Sequence, residues 1–173
     1  MALREIITEP NSLLREKSLA VASVDEDLQK LMDDMLETMY AAPGIGLAAI
    51  QVGVPKRVIV LDIGWRDKSE NINNEEQVVR KNPIYFVNPE IITKSISNIT
   101  YEEGCLSVPG QFAEITRPDK CQVKYLDYYG QQKELVAEGM LATCIQHEMD
   151  HLEGILFIDY LSKLKKSMIV KKL

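Results

Sequence analysis

The sequence predicts an α+β fold: antiparallel β-sheets packed around a central helix that carries both histidines, with an amphipathic helix near the N-terminus and another helix at the C-terminus. Three observations predict it. An early segment repeats apolar residues at helical spacing, the middle of the chain alternates short β-rich runs with turn signals, and a second helical segment follows them. The 173 residues suit a single domain spanning 1–173, large enough to bury a core without disulfide or metal staples.

The first helix is expected from about Asp25 to Ala42. Leu28, Leu31, Met32, Met35, Leu36, Met39 and Tyr40 recur by threes and fours and form one face. Ser23 and Glu26 resemble a capping box, and Pro43-Gly44 ends the helix. The methionine-rich face reads as core packing rather than an adaptable groove. Gly44 to Gly53 is apolar but bracketed by glycines, which suits irregular backbone or a short strand. Arg57–Ile63 reads as a buried strand, and the polar residues 64–82 as an exposed excursion.

Five β-rich runs follow: Ile84–Val87, Glu90–Ile96, Gln111–Thr116, Gln122–Tyr128 and Lys133–Ala137. Asn88-Pro89, Pro109-Gly110, Arg117-Pro118-Asp119 and Tyr129-Gly130 punctuate them, at intervals short enough for antiparallel pairing. A second helix is expected from about Glu138 to Leu152, stopped by Gly154, and a last amphipathic segment from Ser162.

Composition narrows the function classes. Hydrophobic residues are 46% and charged residues 27%, a globular balance, and the net charge of -6 argues against non-specific nucleic-acid binding, and with it DNA binding, as the main business, though it leaves room for local basic patches. The charged N-terminal segment does not read as a signal peptide, and no run nears the roughly 20 apolar residues of a membrane span. A cytoplasmic location is expected, where Cys105, Cys121 and Cys144 stay reduced and a thiolate can ligate metal.

The chain has two histidines, and both lie in His147-Glu148-Met149-Asp150-His151. Residues four apart share a helix face, roughly 6 Å apart along the axis, so both imidazoles reach one ion. Glu148 projects from a neighbouring face, placed to act on water without ligating. On a helical wheel this acid and both histidines fall beside Leu141, Ile145 and Leu152, the buried side. Buried polar groups need partners there, and a divalent metal supplies one.

A hydrolytic site needs a third protein ligand and an open position. The extended protease pattern HExxHxxGxxH would place its last histidine at Phe157, and the acids after His151 are only Glu153 and Asp159. Cys144 lies seven residues from His151, roughly 10 Å along the axis, too far to share an ion with both histidines. Cys121 alternates with Val123 and Tyr125 as a core strand residue. Cys105, in the turn-rich segment Glu102 to Gly110, ranks first, and Asp159 stays open as an alternative.

Three separated motifs now agree in order. Gly44-Ile45-Gly46-Leu47-Ala48-Ala49-Ile50-Gln51 resembles GxGxAAxQ, Glu103-Gly104-Cys105-Leu106-Ser107 resembles EGCLS, and Gln146-His147-Glu148-Met149-Asp150-His151 resembles QHExDH. Together they resemble the peptide deformylase family over nearly the whole chain, through Phe157–Ser162. The resemblance implies hydrolysis of the N-formyl group from the formylmethionine of newly made polypeptides, releasing formate. It implies that Cys105, His147 and His151 hold one metal, most naturally Fe2+, with Zn, Ni or Co in its place in a purified sample. Metal-bound hydroxide would attack the formyl carbon, with Glu148 as general base and acid. The Gln51 side chain and the Leu106 backbone N–H would donate to the oxyanion.

The same resemblance puts Ile45 and Gly46 along the substrate peptide, and Ile45, Glu103, Met140, Thr143 and Cys144 around the methionine side chain. Gly44 and Gly46 would let backbone approach the substrate closely. The tail carries Lys163, Lys165, Lys166, Lys171 and Lys172; the resemblance implies that such a basic helix docks on the ribosome, and a solvated helix face explains it at least as well. Two departures stand out: Phe112 replaces an arginine that some bacterial members carry near the peptide, and residues 64–82 exceed the loop of compact members. Two other readings use the same motif: a peptidase with a downstream ligand, and a closed structural metal site in which Glu148 does no chemistry.

Overall fold

A computed structural model describes residues 2–66 and 79–173. The first helix, α1, is Glu26–Ala41. Its cap is Asp25, whose carboxylate accepts from the Leu28 N–H at 2.8 Å, not Ser23 as the capping-box pattern suggested. Asp25 stands one residue before the helix, so its short side chain reaches the free amide directly.

The chain then forms β1 (Gly46–Ala48), a 3-10 turn (Ala49–Val52), β2 (Val58–Leu61), β3 (Trp65–Arg66) and β4 (Val79–Arg80). Gly44 to Gly53 therefore holds a three-residue strand, as expected, but also a four-residue helical turn that the reading as irregular backbone or strand did not include. β3 and β4 pair antiparallel and close the ends of the 64–82 excursion. Its middle, 67–78, lies outside the described residues.

β5 (Ile84–Lys94) is one long strand, where the sequence suggested two. Asn88, with φ at 50°, and Pro89 make a bulge in its ladder with Lys120–Leu126 rather than a break. β6 (Asn98–Cys105) and β7 (Val108–Pro118) form a hairpin; β6 was not expected, and Pro109-Gly110 sits inside β7. β8 (Lys120–Leu126) and β9 (Gln132–Glu138) follow. α2 (Gly139–Leu152) and α3 (Lys163–Lys171), separated by a 3-10 turn at Phe157–Tyr160, complete the α+β fold.

The five-stranded sheet runs β1-β2-β5-β8-β9, antiparallel throughout, so β1 is an edge. β2 is buried on both faces because successive side chains point opposite ways. Val58 and Val60 meet Leu28, Met32, Met35 and Met39 of α1, while Ile59 and Leu61 join the cluster of Phe86 and Val123 with Ala142, Ile145 and Leu152 of α2. Val108 and Ile115 of the hairpin pack with Leu156, Phe157 and Ile158. α2 is thereby held between the sheet and the hairpin. Past its end Gly154 has φ at 74°, and a Cβ there would lie 2.3 Å from the Arg15 carbonyl oxygen, so only glycine fits. No described helix is long and apolar enough to cross a membrane.

The N-terminal segment is tied to α1 by one buried carboxylate. Asp34 accepts from Ala2 N–H at 2.7 Å and from the Arg4 guanidinium at 3.0 Å. Burial pushes its carboxyl up, but these donors outweigh burial and hold it below its ordinary value. A depressed acid contributes stability that is complete above the unfolded value, about 3.9, and is lost as pH falls through the folded one. Urea unfolding across pH 2–6 is expected to show a smaller acid-side loss for Asp34→Asn than for the parent. Equal slopes would remove Asp34 from the account.

Candidate metal centre

α2 presents His147 and His151 on its hairpin side, and the end of β6 brings Cys105 to them. Among the described residues these three side chains gather one donor atom each within 4.8 Å of one another. The Cys105 Sγ lies 3.4 Å from the His151 Nε2. Zinc-type bonds of about 2.3 Å to sulfur and about 2.0 Å to nitrogen at a tetrahedral angle put the two donors about 3.5 Å apart, so the spacing fits an ion between them.

The imidazole of His147 is oriented from behind. Its Nδ1 lies 2.8 Å from the Glu103 Oε1, an acceptor, which keeps a proton on Nδ1 and makes Nε2 the nitrogen that would face a metal. Glu103 is fixed in turn by Arg117, with Nε at 2.7 Å and Nη2 at 2.9 Å, and Arg117 spends Nη1 on Asp150 at 2.9 Å. Tyr160 donates its hydroxyl to the same Asp150 oxygen at 2.7 Å.

Burial lowers both histidines, and their neighbours then move them apart. For His147 burial lowers the pKa, but Cys105 and Glu103 outweigh it and hold the ring well above its ordinary value. His151 is driven well below, by burial and then by the neighbouring His147. A ring held neutral is the ligand form. Glu148 is 5% exposed, and burial pushes its carboxyl up to about 7. Its Oε2 finds no hydrogen-bond partner among the described residues. An acid held near neutrality can both accept and return a proton.

Gly46 explains where Glu148 fits. A Cβ on Gly46 would stand 2.7 Å from the Glu148 Oε1, and one on Gly44 would stand 2.7 Å from a Leu106 methyl. These glycines make room for the protein's own site side chains. Gln51 is clamped by its amide: Oε1 accepts from Ala48 N–H at 2.9 Å, which turns Nε2 toward Ser107 Oγ at 3.0 Å and Cys105 Sγ at 3.5 Å. Leu106 follows Cys105 at the hairpin turn.

A cavity of about 610 Å3 opens over the cluster, and Ile45, Gly46, Leu106, Met140, Thr143 and Cys144 all line it. Glu103 also reaches its wall, but both carboxylate oxygens are engaged behind His147. The Cys144 thiol is pushed up to about 12 by burial, with Glu148 and Glu103 adding to it, which keeps it protonated. Cys121 is in the sheet core. Asp159, left open as a third ligand, binds Arg15 and Lys166 instead.

Sequence reasoning missed Arg117, Ser107 and the tie to Asp150. The sequence places Arg117 in a turn before Pro118, whereas it lies inside β7. A signal existed, since Arg117 falls in phase with buried Ile115 along β7.

A family model for polypeptide deformylases matches residues 3–167. A peptide deformylase of Pelagibacter ubique is 63% identical over 173 residues, covering all of this chain and 94% of that protein. One from Maricaulis maris is 58% identical over 172 residues, covering 99% of this chain and 92% of that protein. Among solved structures, the peptide deformylase of Ehrlichia chaffeensis in complex with actinonin superposes with a TM-score of 0.89 at 44% identity, covering 99% of this chain and 96% of that one. Matches of this extent, over a fold and a cluster built as described, place the chain in the polypeptide deformylase family.

Proposed function

We propose that this protein hydrolyses the formyl group from the N-terminal formylmethionine of newly made polypeptides, releasing formate, and that it needs one divalent metal to do so. The observation that carries the reading is the convergence of Cys105, His147 and His151 with buried Glu148, whose Oε2 has no hydrogen-bond partner among the described residues, beneath one cavity. Cys105, His147 and His151 would hold the ion; their mixed sulfur and imidazole donors suit Fe2+ as the native metal and accept Zn2+, Ni2+ or Co2+. When bound, the ion supplies Lewis acidity that acidifies water and polarises the formyl carbonyl.

The remaining steps belong to the chain's own residues. Glu148 takes the proton of the attacking water on its carboxylate and returns it to the departing amine nitrogen. The Gln51 Nε2 and the backbone N–H of Leu106 donate to the oxygen that gains charge as the carbonyl carbon becomes tetrahedral. The free edge beside Ile45 and Gly46 borders the cavity and suits an extended peptide added as a further strand. Ile45, Met140, Thr143 and Cys144, with Glu103 behind, enclose the methionine side chain.

Metal-loaded protein incubated with a formyl-Met peptide is expected to release formate in step with free amine. No formate with Fe2+ under anaerobic conditions, nor with Zn2+, Ni2+ or Co2+, would overturn the proposal. A peptidase reading needs a downstream ligand, and the engagement of Asp159 by Arg15 and Lys166 counts against it.

A further inference from the structure

A second cleft, apart from the metal centre, opens between the flank of α1 and the turn joining β8 to β9. Its volume is about 530 Å3, and it shares no lining residue with the cavity over Cys105, His147 and His151. Tyr85, Tyr125, Tyr128 and Tyr129 line it, four of the chain's seven tyrosines. Two acids, Asp33 and Asp127, stand in the same wall, and no lysine or arginine lines it among the described residues. Asp33 precedes Ala42, which borders the other cavity, by on the order of 13 Å along the helix.

The rings are fixed before any ligand arrives. Tyr85 and Tyr128 stand 5.0 Å apart between centroids at 56°, and Tyr128 and Tyr129 stand 5.2 Å apart at 79°. Rings set at such angles turn their faces to more than one side of the cleft. Tyr128 donates its hydroxyl to the Asp33 Oδ2 at 3.2 Å, and the Asp127 Oδ1 accepts from the N–H groups of Tyr129 and Gln131, each at 2.9 Å. Both carboxylates are thereby held beside the rings. Burial and then Asp33 push the phenols of Tyr85 and Tyr128 up, so the rings stay neutral.

Neutral aromatic faces attract a cation, and fixed carboxylates add hydrogen-bond acceptors. A quaternary ammonium ion would use the rings and bring no donor to the acids. A guanidinium uses both, since it stacks flat on a tyrosine and directs its N–H groups sideways to carboxylates. Lys81 already uses a neighbouring ring in this way, with its Nζ 4.5 Å from the centroid of Tyr40. Tyr129 is 76% exposed and leaves the mouth open, so a side chain can enter while its own backbone stays outside. We propose that this tyrosine-lined cleft is a binding site for an arginine side chain presented by a partner polypeptide. The inference goes beyond the deformylase reading and does not depend on it.

The test is a titration of metal-loaded, full-length, 15N-labelled protein with the peptide Gly-Arg-Gly, blocked at both ends, followed by amide chemical shifts. Saturable shifts are expected at Tyr85, Asp127, Tyr128 and Tyr129, with affinity at least about fivefold above that of the citrulline peptide, its neutral isostere. Tyr129→Ser and Asp33→Asn should each weaken arginine binding by about 3–10-fold, while Tyr129→Phe, which keeps the aromatic face, retains most of it. All three variants should hydrolyse a formyl-Met peptide at the parent rate, so a loss of binding is not a loss of fold. No shift at the cleft, equal binding of the citrulline peptide, or binding indifferent to both Tyr129→Ser and Asp33→Asn overturns the inference. Tetramethylammonium binding as tightly as the arginine peptide, or free arginine binding where the peptide does not, makes the cleft a small-cation site and also overturns it.

Discussion

Glu148→Gln is expected to lower turnover of a formyl-Met peptide by about 10^2–10^4-fold while the protein keeps its metal. The amide has the shape of the acid and fills the same space against Gly46, so the site should not collapse. It lacks a basic oxygen, so the proton of the attacking water has nowhere to go. Metal content should stay stoichiometric, because the converging donors belong to Cys105, His147 and His151. Stability should hold or rise, since the substitution removes an acid that burial already disfavours in its charged form. Formate release, metal analysis and urea unfolding on one preparation separate the possibilities. Metal lost together with activity would make Glu148 a ligand of a closed site, and activity within about tenfold of the parent would end its role as base.

What was legible in the sequence tracks what is local. His147 and His151 could be placed because four-residue spacing on a helix has one geometric meaning, and Ile145 and Leu152 marked which face was buried. Cys105 could be ranked because helix geometry excluded Cys144. The strand that carries Cys105 could not be seen. Glu102, Glu103 and Gly104 are poor strand formers, and the inward alternation of Ile99 and Tyr101 continues in β6 with an acid, Glu103, which serves His147. Asn88-Pro89 read as a stop because turn chemistry cannot distinguish a bulge from an end, which depends on whether a partner strand continues alongside. The Arg117 contacts join β7 to β6 and α2, and local patterning does not encode a pairing of that range.

That pairing supports the other large effect. Arg117→Met is expected to destabilise the metal-free protein by about 3–5 kcal/mol, because it leaves the Glu103 carboxylate buried beside the Nδ1–H of His147. Arg117 is only 4% exposed, so water cannot replace the guanidinium. Lysine should substitute poorly, since a single ammonium cannot hold both Glu103 oxygens and Asp150 at once. Metal affinity should fall by about 10–100-fold, because Glu103 without its anchor no longer fixes the ring of His147. The double variant Arg117→Met with Glu103→Gln separates the two effects. It removes the unpaired charge, so unfolding of the metal-free protein should recover most of the lost stability, while chelator competition still finds weakened metal binding because a neutral amide orients His147 less strongly than a carboxylate. If Arg117→Met unfolds within about 1 kcal/mol of the parent, the pair is not a structural anchor. If the double variant binds metal as tightly as the parent, the ring is held by α2 alone and the Glu103–Arg117 pair has no part in setting the centre.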